Sequence, residues 1–404
     1  MTDGVESSTK LKMPRAIWAL GLGSLFMDTS SEIVHGLLPV FLVSVLGASI
    51  TSVGVLEGLA EAATLILKVI SGPVSDFFGR RKPLVILGYT IGALSKPLFA
   101  LANSVSVVYG ARLMDRIGKG IRGAPRDALV ADLSPVELRG RAFGLRQSLD
   151  TVGAFLGPML AIILMCLTHN DYQTVFWLAT IPGLLCVTVL FFGIHEEGAI
   201  RAHVGNRSLH VGELKKFPPT FWFIVAGGAL FQLARFSEAF LILRAKDFGL
   251  GLELAPLVLI IMNLAYSLSA YPVGHFSDRF RREWFLLVGL IVLCLSDLAL
   301  GLGRDLLTIF GGVVLWGLYM GLTQGTLAVL VADTCPSSFR GTAYGVFNLF
   351  SAGALLAGNA IAGVLWDRVG PKSTFLVGAT FSFLGFLMLL STRSIWTKPL
   401  HLNE

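Results

Sequence analysis

The chain is written twice. Residues 131–145 read ADLSPVELRGRAFGL and residues 332–346 read ADTCPSSFRGTAYGV. Ala131, Asp132, Pro135, Arg139, Gly140, Ala142 and Gly144 return as Ala332, Asp333, Pro336, Arg340, Gly341, Ala343 and Gly345, at a constant offset of about 200 residues. Earlier in each copy, Gly72-x3-Asp76-x3-Arg80 returns as Gly274-x3-Asp278-x3-Arg282. A repeat of this length in a strongly apolar chain predicts two equivalent membrane bundles around a shared interface.

Composition agrees. Of 404 residues, 54% are apolar and 14% charged, against roughly a quarter charged in a soluble domain. The apolar residues fall in runs of about 20, each able to cross a hydrocarbon layer about 30 Å thick. Spans are predicted at roughly 17–44, 52–74, 83–102, 105–130, 142–167 and 174–194, then 220–243, 254–275, 284–302, 306–331, 342–366 and 374–391. The expected fold is therefore an all-α polytopic membrane protein, with twelve transmembrane helices in two pseudo-symmetric six-helix bundles. Residues 1–194 form the first bundle, 195–219 a polar linker closed by Pro218-Pro219, and 220–404 the second. The polar stretch Met1–Arg15 leads into an apolar run too long for a cleavable signal core, so that run is expected to be the first span.

Charge orients the spans. Lys10, Lys12 and Arg15, then Arg80, Arg81 and Lys82, then Arg139 and Arg141, then the linker, then Arg279, Arg281 and Arg282 all fall on one side. Opposite loops near 47–51, 103–105 and 168–173 contain no Lys or Arg; Lys246, Arg304, Arg368 and Lys372 are the exceptions. The positive-inside rule places both termini in the cytoplasm, and the expected location is a bacterial inner membrane. The net charge of +6 is explained by these loops, and without an aromatic-interleaved basic patch nucleic acid is excluded as a partner. Asn206-Arg-Ser208 matches a glycosylation acceptor but falls on the cytoplasmic side, where it would not be modified.

Gly72-Pro-Val-Ser-Asp76-Phe-Phe-Gly79-Arg80-Arg81-Lys82 joins the second and third spans. It resembles the signature loop of the major facilitator superfamily, with Phe77 where that family carries a basic residue. The twelve spans and the repeat extend the resemblance over nearly the whole chain. The resemblance implies a transporter working by alternating access and a gate at this loop, formed by Gly72, Asp76, Gly79, Arg80, Arg81 and Asp132 and mirrored by Asp278, Arg282 and Asp333. Arg80 is expected to pair with Asp132, Arg282 with Asp333, and Asp76 to face the start of the eleventh span. A carboxylate there can accept hydrogen bonds from an arginine or a helix N-terminus.

Ionisable residues inside the spans are costly, about 2.5–3.5 kcal/mol each at mid-bilayer on insertion scales, so each needs a partner or a function. They lie in stripes. Asp28, Glu32 and His35 share a face of the first span, and Glu57, Glu61 and Lys68 share a face of the second. Arg112, Asp115, Arg116, Lys119, Arg122 and Arg126 fall within an arc of about 120° on the fourth. Such stripes face protein or a water-filled cavity, not lipid. Helical rise puts Asp150 and Arg116 near the level of Asp28, with Lys96 somewhat farther out. Asp28, Glu32, Arg112 and Asp150 are the expected proton-coupling residues. Glu61, Lys96, Asp115, Arg116, Arg146, Arg235 and Glu238 are expected to line a substrate cavity. Arg112 precedes Ala131-Asp132 by about 20 residues, a spacing similar to that of the fourth-helix arginine in proton-coupled members of the superfamily. Asp115 and Arg116 stand where those members often have glutamine and glycine. Gly153-x3-Gly157-Pro158 resembles the exporter signature of the drug:proton antiporters, with Ala161-Ile162 in place of the final glycine pair.

Other chemistries find no support. Gly-x-Ser-x-Gly, His-Glu-x-x-His and a phosphate loop are all missing from the sequence, and Gly118-Lys119-Gly120 lacks the following Ser or Thr. Cys166, Cys186, Cys294 and Cys335 have no paired spacing. No enzyme activity, cofactor or metal is expected. The reading is a monomeric, proton-coupled exporter of a small organic molecule, its partners being substrate, protons and the bilayer. Its rivals are a proton symporter importing an organic anion and, from another class, a non-transporting receptor. If Arg112 and Arg116 stand unpaired in the cavity, an anionic or zwitterionic substrate is favoured; if paired, an amphipathic or cationic one.

Overall fold

The computed structural model describes residues 13–194, 217, 219–277, 282–323 and 340–391. Among these residues every regular element is helical. The first half contains α1 (Arg15–Val40), α2 (Ile50–Phe78), α3 (Lys82–Ala100), α4 (Val105–Leu133), α5 (Arg139–Leu167) and α6 (Tyr172–Gly193). The second contains α7 (Pro219–Ala234), α8 (Glu238–Asp247), α9 (Leu257–Ser277), α10 (Arg282–Leu302), α11 (Leu306–Thr323), α12 (Arg340–Arg368) and α13 (Pro371–Ser391). α7 and α8 are two pieces of one pass, so the described helices make twelve passes. Nine passes are long and apolar enough to cross a membrane on length and composition alone.

Local sequence sets the turns. Ser49 caps α2 by accepting from the Ser52 amide at 3.1 Å, and Asp171 caps α6 by accepting from the Gln173 amide at 3.1 Å. Gly79 ends α2 in the left-handed region, φ 61°, where a side chain would be strained. α1 widens into a π-type turn at Phe41–Val45, where the Leu46 amide bonds the Phe41 carbonyl, rather than running on as an α-helix.

The predicted span 220–243 is interrupted. Arg235, Phe236 and Ser237 are non-helical. Ser237 restarts the helix by accepting from the Ala239 amide at 3.3 Å, and its own amide donates to Asn359 Oδ1 of α12 at 2.7 Å. An unwound stretch inside a bilayer needs protein partners for its backbone groups, and Asn359 supplies one.

Packing is asymmetric along the membrane normal. On the side away from Arg80–Lys82 and Arg139, one apolar core runs through both halves, joining Leu37, Phe41 and Phe176 to Phe240, Leu241 and Trp366. Toward the basic loops each half has its own cluster: Ile17, Tyr89, Leu129 and Leu190 in one, Phe217, Phe221 and Phe347 in the other. Polar bonds between halves follow the same division. Asp367, near the end of α12, accepts from the amides of Ile50 and Thr51 at 3.1 and 2.7 Å, and Lys246 donates to Ser44 at 2.5 Å. Glycines let α2 and α12 meet closely: a Cβ at Gly58 would lie 2.9 Å from Leu356 Cα, and one at Gly363 2.7 Å from Thr51 Cα. Among the described residues, the apolar core is shared between the halves at one end and separate toward the basic loops, where Gly345 of α12 still faces Val69 of α2.

Candidate functional site

Between the halves lies a cavity of about 240 Å³. Its walls differ. The first half contributes Glu32, His35, Glu57, Glu61, Arg116 and Lys119; α9, α11 and α12 contribute Leu259, Met262, Met320 and Leu355 with two uncharged polar residues, Asn263 and Asn359. The break between α7 and α8 adds Arg235, Phe236, Ser237 and Glu238. An apolar wall with a few placed polar groups is the usual form of a small-molecule site.

Behind the polar wall the charges are paired. Arg112 Nη2 donates to Glu57 Oε2 at 2.8 Å, with both side chains 3% exposed or less. Ser237 Oγ approaches the same oxygen at 3.4 Å, so Glu57 ties α2 and α4 to the break in the seventh pass. Lys96 donates to Asp115 Oδ1 at 2.6 Å and to Ser31 Oγ at 3.0 Å. Arg116 reaches Glu61 at 3.4 Å and Asp115 at 3.9 Å. Glu32 and His35 lie 3.4 Å apart on α1. A charge this deep is tolerated when its partner and hydrogen bonds are in place.

The sequence-predicted cavity residues therefore divide. Glu61, Arg116, Arg235 and Glu238 line the cavity, as does Glu32 from the coupling set. Lys96, Asp115 and Arg112 are buried behind it. Arg146 is buried 3.8 Å from Asp150 and donates to Gln147 at 2.7 Å. Asp28 faces Asp150 across α1 and α5, carboxyl to carboxyl. Gly153 allows this approach, since a Cβ there would sit 3.1 Å from Asp28 Cβ.

Arg112 and Arg116 are both paired, so the arrangement that would favour an anion through those two residues is not the one formed. Among the described residues, Lys119 and Arg235 are the cavity-wall Lys and Arg side chains in no ion pair with a carboxylate. His35, Glu57, Lys119, Phe236, Ser237 and Asn359 complete the site beyond the residues singled out for it. The first three belong to the polar stripes, which was a usable signal. The other three carry none, because the break that assembles them depends on α12.

At the basic end the expected pairing needs correction. Arg81, not Arg80, bonds Asp132: Nε to Oδ2 is 2.7 Å, and Nη2 lies 3.4 Å from Asp76 Oδ1. Gly79 reverses the chain in the left-handed conformation, so Arg81, immediately before α3, points back to the end of α4 while Arg80 is exposed. Gly72 has space for a Cβ, 3.6 Å from Ala124 Cβ; the tighter α2–α4 contact is at Gly120, where a Cβ would lie 2.6 Å from Leu67 Cβ. Asp278 and Asp333 fall outside the described residues. Arg282 opens α10, with its side chain outside them too.

A polytopic helical protein with two six-pass halves around a shared central cavity has the architecture of a membrane transporter. The chain belongs to the major facilitator superfamily, whose family model matches residues 20–354 and 228–400. It is 31% identical over 390 residues to an uncharacterised transporter of this type from Methanocaldococcus jannaschii, covering 94% of this chain and 95% of that one. It is 27% identical over 339 residues to the multidrug resistance protein MdtH of Photorhabdus laumondii, covering 83% and 82%. A solved POT family transporter in complex with 5-aminolevulinic acid shares the fold with a TM-score of 0.81, at 14% identity over 95% of this chain and 97% of that one.

Proposed function

We propose that this protein is a proton-coupled exporter of small amphipathic organic molecules. It acts as a monomer in a bacterial inner membrane with both termini and the basic loops in the cytoplasm. The conformation described here is then open toward the cytoplasm and closed outward, as an exporter must be to load. One observation carries this reading: the first half gives the cavity a polar wall in which Glu57 and Glu61 meet arginines, while α9, α11 and α12 give it an uncharged wall of Leu, Met and Asn. Such a cavity suits a molecule with a polar end and an apolar body. The similarity to MdtH and the Gly153-Gly157-Pro158 face on α5 support export.

Asp28 and Asp150 are the proposed proton carriers beside the cavity. Two carboxyls in contact can join by a hydrogen bond only with a proton between them, because an ionised carboxylate has no donor. Arg146, 3.8 Å from Asp150, is placed to replace that proton when it leaves. Glu32, on the cavity wall, and the buried Arg112 extend the proposed coupling set. Flux in proteoliposomes under an imposed pH gradient tests the reading. Asp28→Asn with Glu32→Gln should abolish gradient-driven accumulation yet leave substrate exchange running; wild-type accumulation in that variant overturns the assignment.

A second reading, import of an organic anion with protons, draws on Lys119 and Arg235, which have no carboxylate partner on the cavity wall. It expects uptake of carboxylates toward the basic face to rise with an inward proton gradient, where export expects loss of substrate from that side.

A further inference from the structure

The second half holds a carboxylate that the cavity does not use. Asp297 on α10 is 0% exposed, and neither carboxyl oxygen has a hydrogen-bond partner among the described residues. It lies in a notch made by Gly378 of α13. A Cβ at Gly378 would come within 2.8 Å of Asp297 Oδ2 and 2.6 Å of Phe236 Cε2. Phe236 also lines the central cavity, so its ring stands between that cavity and Asp297.

Among the described residues the surroundings offer no counter-ion. On α10 the ionisable neighbour is Cys294, and on α11 it is Tyr319, itself 1% exposed. α13 carries one charged residue, Lys372, exposed at its start, six residues or roughly 9 Å before Gly378. Arg244 of α8 donates instead to the carbonyls of Leu300 and Gly301, at 2.9 and 3.5 Å, and approaches Asp247 at 3.9 Å. Arg235 and Glu238, at the break, line the central cavity. An ionised carboxylate so enclosed would be a desolvated, uncompensated charge. A metal ion would need six or more oxygens, whereas Phe236 and Gly378 bring a ring edge and a bare Cα, and the Ser296 hydroxyl donates to Gly312 at 2.7 Å.

We propose that Asp297 is a proton-binding site of the second half, screened from the central cavity by Phe236. The bound species is the neutral acid. Because Phe236 belongs to the non-helical segment between α7 and α8, movement of that segment would admit cavity water. The O–H bond then breaks, the proton passes to water, and the same water solvates the carboxylate left behind. This site is separate from the Asp28–Asp150 pair and needs no assumption about the transported molecule.

Infrared spectroscopy of the full chain in lipid vesicles tests it. Wild-type protein at neutral pH should show the carbonyl stretch of a buried neutral carboxylic acid that exchanges slowly in deuterated water. Asp297→Asn should lose that component, while Asp28→Asn and Asp150→Asn keep it. Phe236→Ala should make its exchange about tenfold faster or more, as removal of a screen predicts. If Asp297→Asn does not fold, Asp297→Glu serves instead, moving the component rather than deleting it. A spectrum of Asp297→Asn or Asp297→Glu identical to wild type overturns the site, and unaltered exchange in Phe236→Ala overturns the screen. Failure of the first-half coupling would appear separately, as normal gradient-driven flux in Asp28→Asn.

Discussion

The two halves share one ancestry in sequence and differ in chemistry. In the first, three arginine or lysine side chains each meet an acid, Arg112 with Glu57, Lys96 with Asp115 and Arg116 with Glu61, while the buried Arg122 stacks on Tyr89 at 4.4 Å. In the second, α9, α11 and α12 line the cavity with uncharged residues (Leu259, Met262, Met320 and Leu355 beside Asn263 and Asn359), the cavity charges sit at the break after α7, and the buried acid Asp297 has no partner among the described residues. A pseudo-symmetric scaffold thus keeps its helix geometry while its halves divide the work. A paired network can hold charge in the membrane and still exchange partners. An apolar wall can accept substrates of varied shape, since burial of apolar area is not directional.

The largest expected effect breaks a pair in the charged half. Arg112→Ala leaves Glu57 buried without its cation and should destabilise the protein by about 3–5 kcal/mol, read as a lower midpoint of thermal unfolding in detergent. Replacing both partners by apolar residues of similar size should restore most of that stability without restoring transport. Equal stability of wild type and the single variant would erase the contrast between the halves.

A smaller effect sharpens the contrast at the cavity wall. Lys119→Ala and Arg235→Ala, one from each side, should change preference between anionic and cationic substrates by about tenfold, the equivalent of 1.4 kcal/mol. Met262→Ala and Met320→Ala should instead weaken binding of apolar compounds regardless of charge. Competition assays with a matched series of charged and neutral compounds would separate the two patterns; identical patterns would mean that the walls do not divide recognition.

Closure of the end away from the basic loops should respond more weakly. Asp367→Asn removes the charge that accepts from the Ile50 and Thr51 amides. Charge at a helix N-terminus supports this scale of shift, so the ratio of molecules open to molecules closed at that end should rise about three- to fivefold. Spin-label distances between α2 and α12 at that end would measure it, and an unmoved distribution would show that the glycine contacts alone hold it shut. The smallest effect concerns the basic loop: Arg81→Ala should cost about 0.2–1 kcal/mol at a partly exposed bridge and raise cysteine accessibility near Asp132, whereas Arg80→Ala should leave it unchanged. The reverse order would restore Arg80 as the partner.

Much of this architecture was readable one residue at a time. The repeat announced two bundles, run length announced the spans, and helical spacing put Asp28, Glu32, Glu57, Glu61, Arg112 and Arg116 on inward faces. These follow from local rules: a hydrocarbon layer fixes span length, a 3.6-residue turn fixes the stripe, and desolvation sends every stripe toward protein or water. Which acid meets which base was decided only by helix packing. The Arg112–Glu57 bond depends on how α2 and α4 cross, and the choice of Arg81 over Arg80 turns on the left-handed residue Gly79. The break at Arg235–Ser237 carries no proline or glycine to mark it, since it is held open by Asn359, 122 residues away. The enclosure of Asp297 by Gly378 and Phe236 is likewise a product of packing between α10, α13 and the break. Periodicity is a property of one helix; pairing, closure and burial are properties of several, and only the assembled bundles determine them.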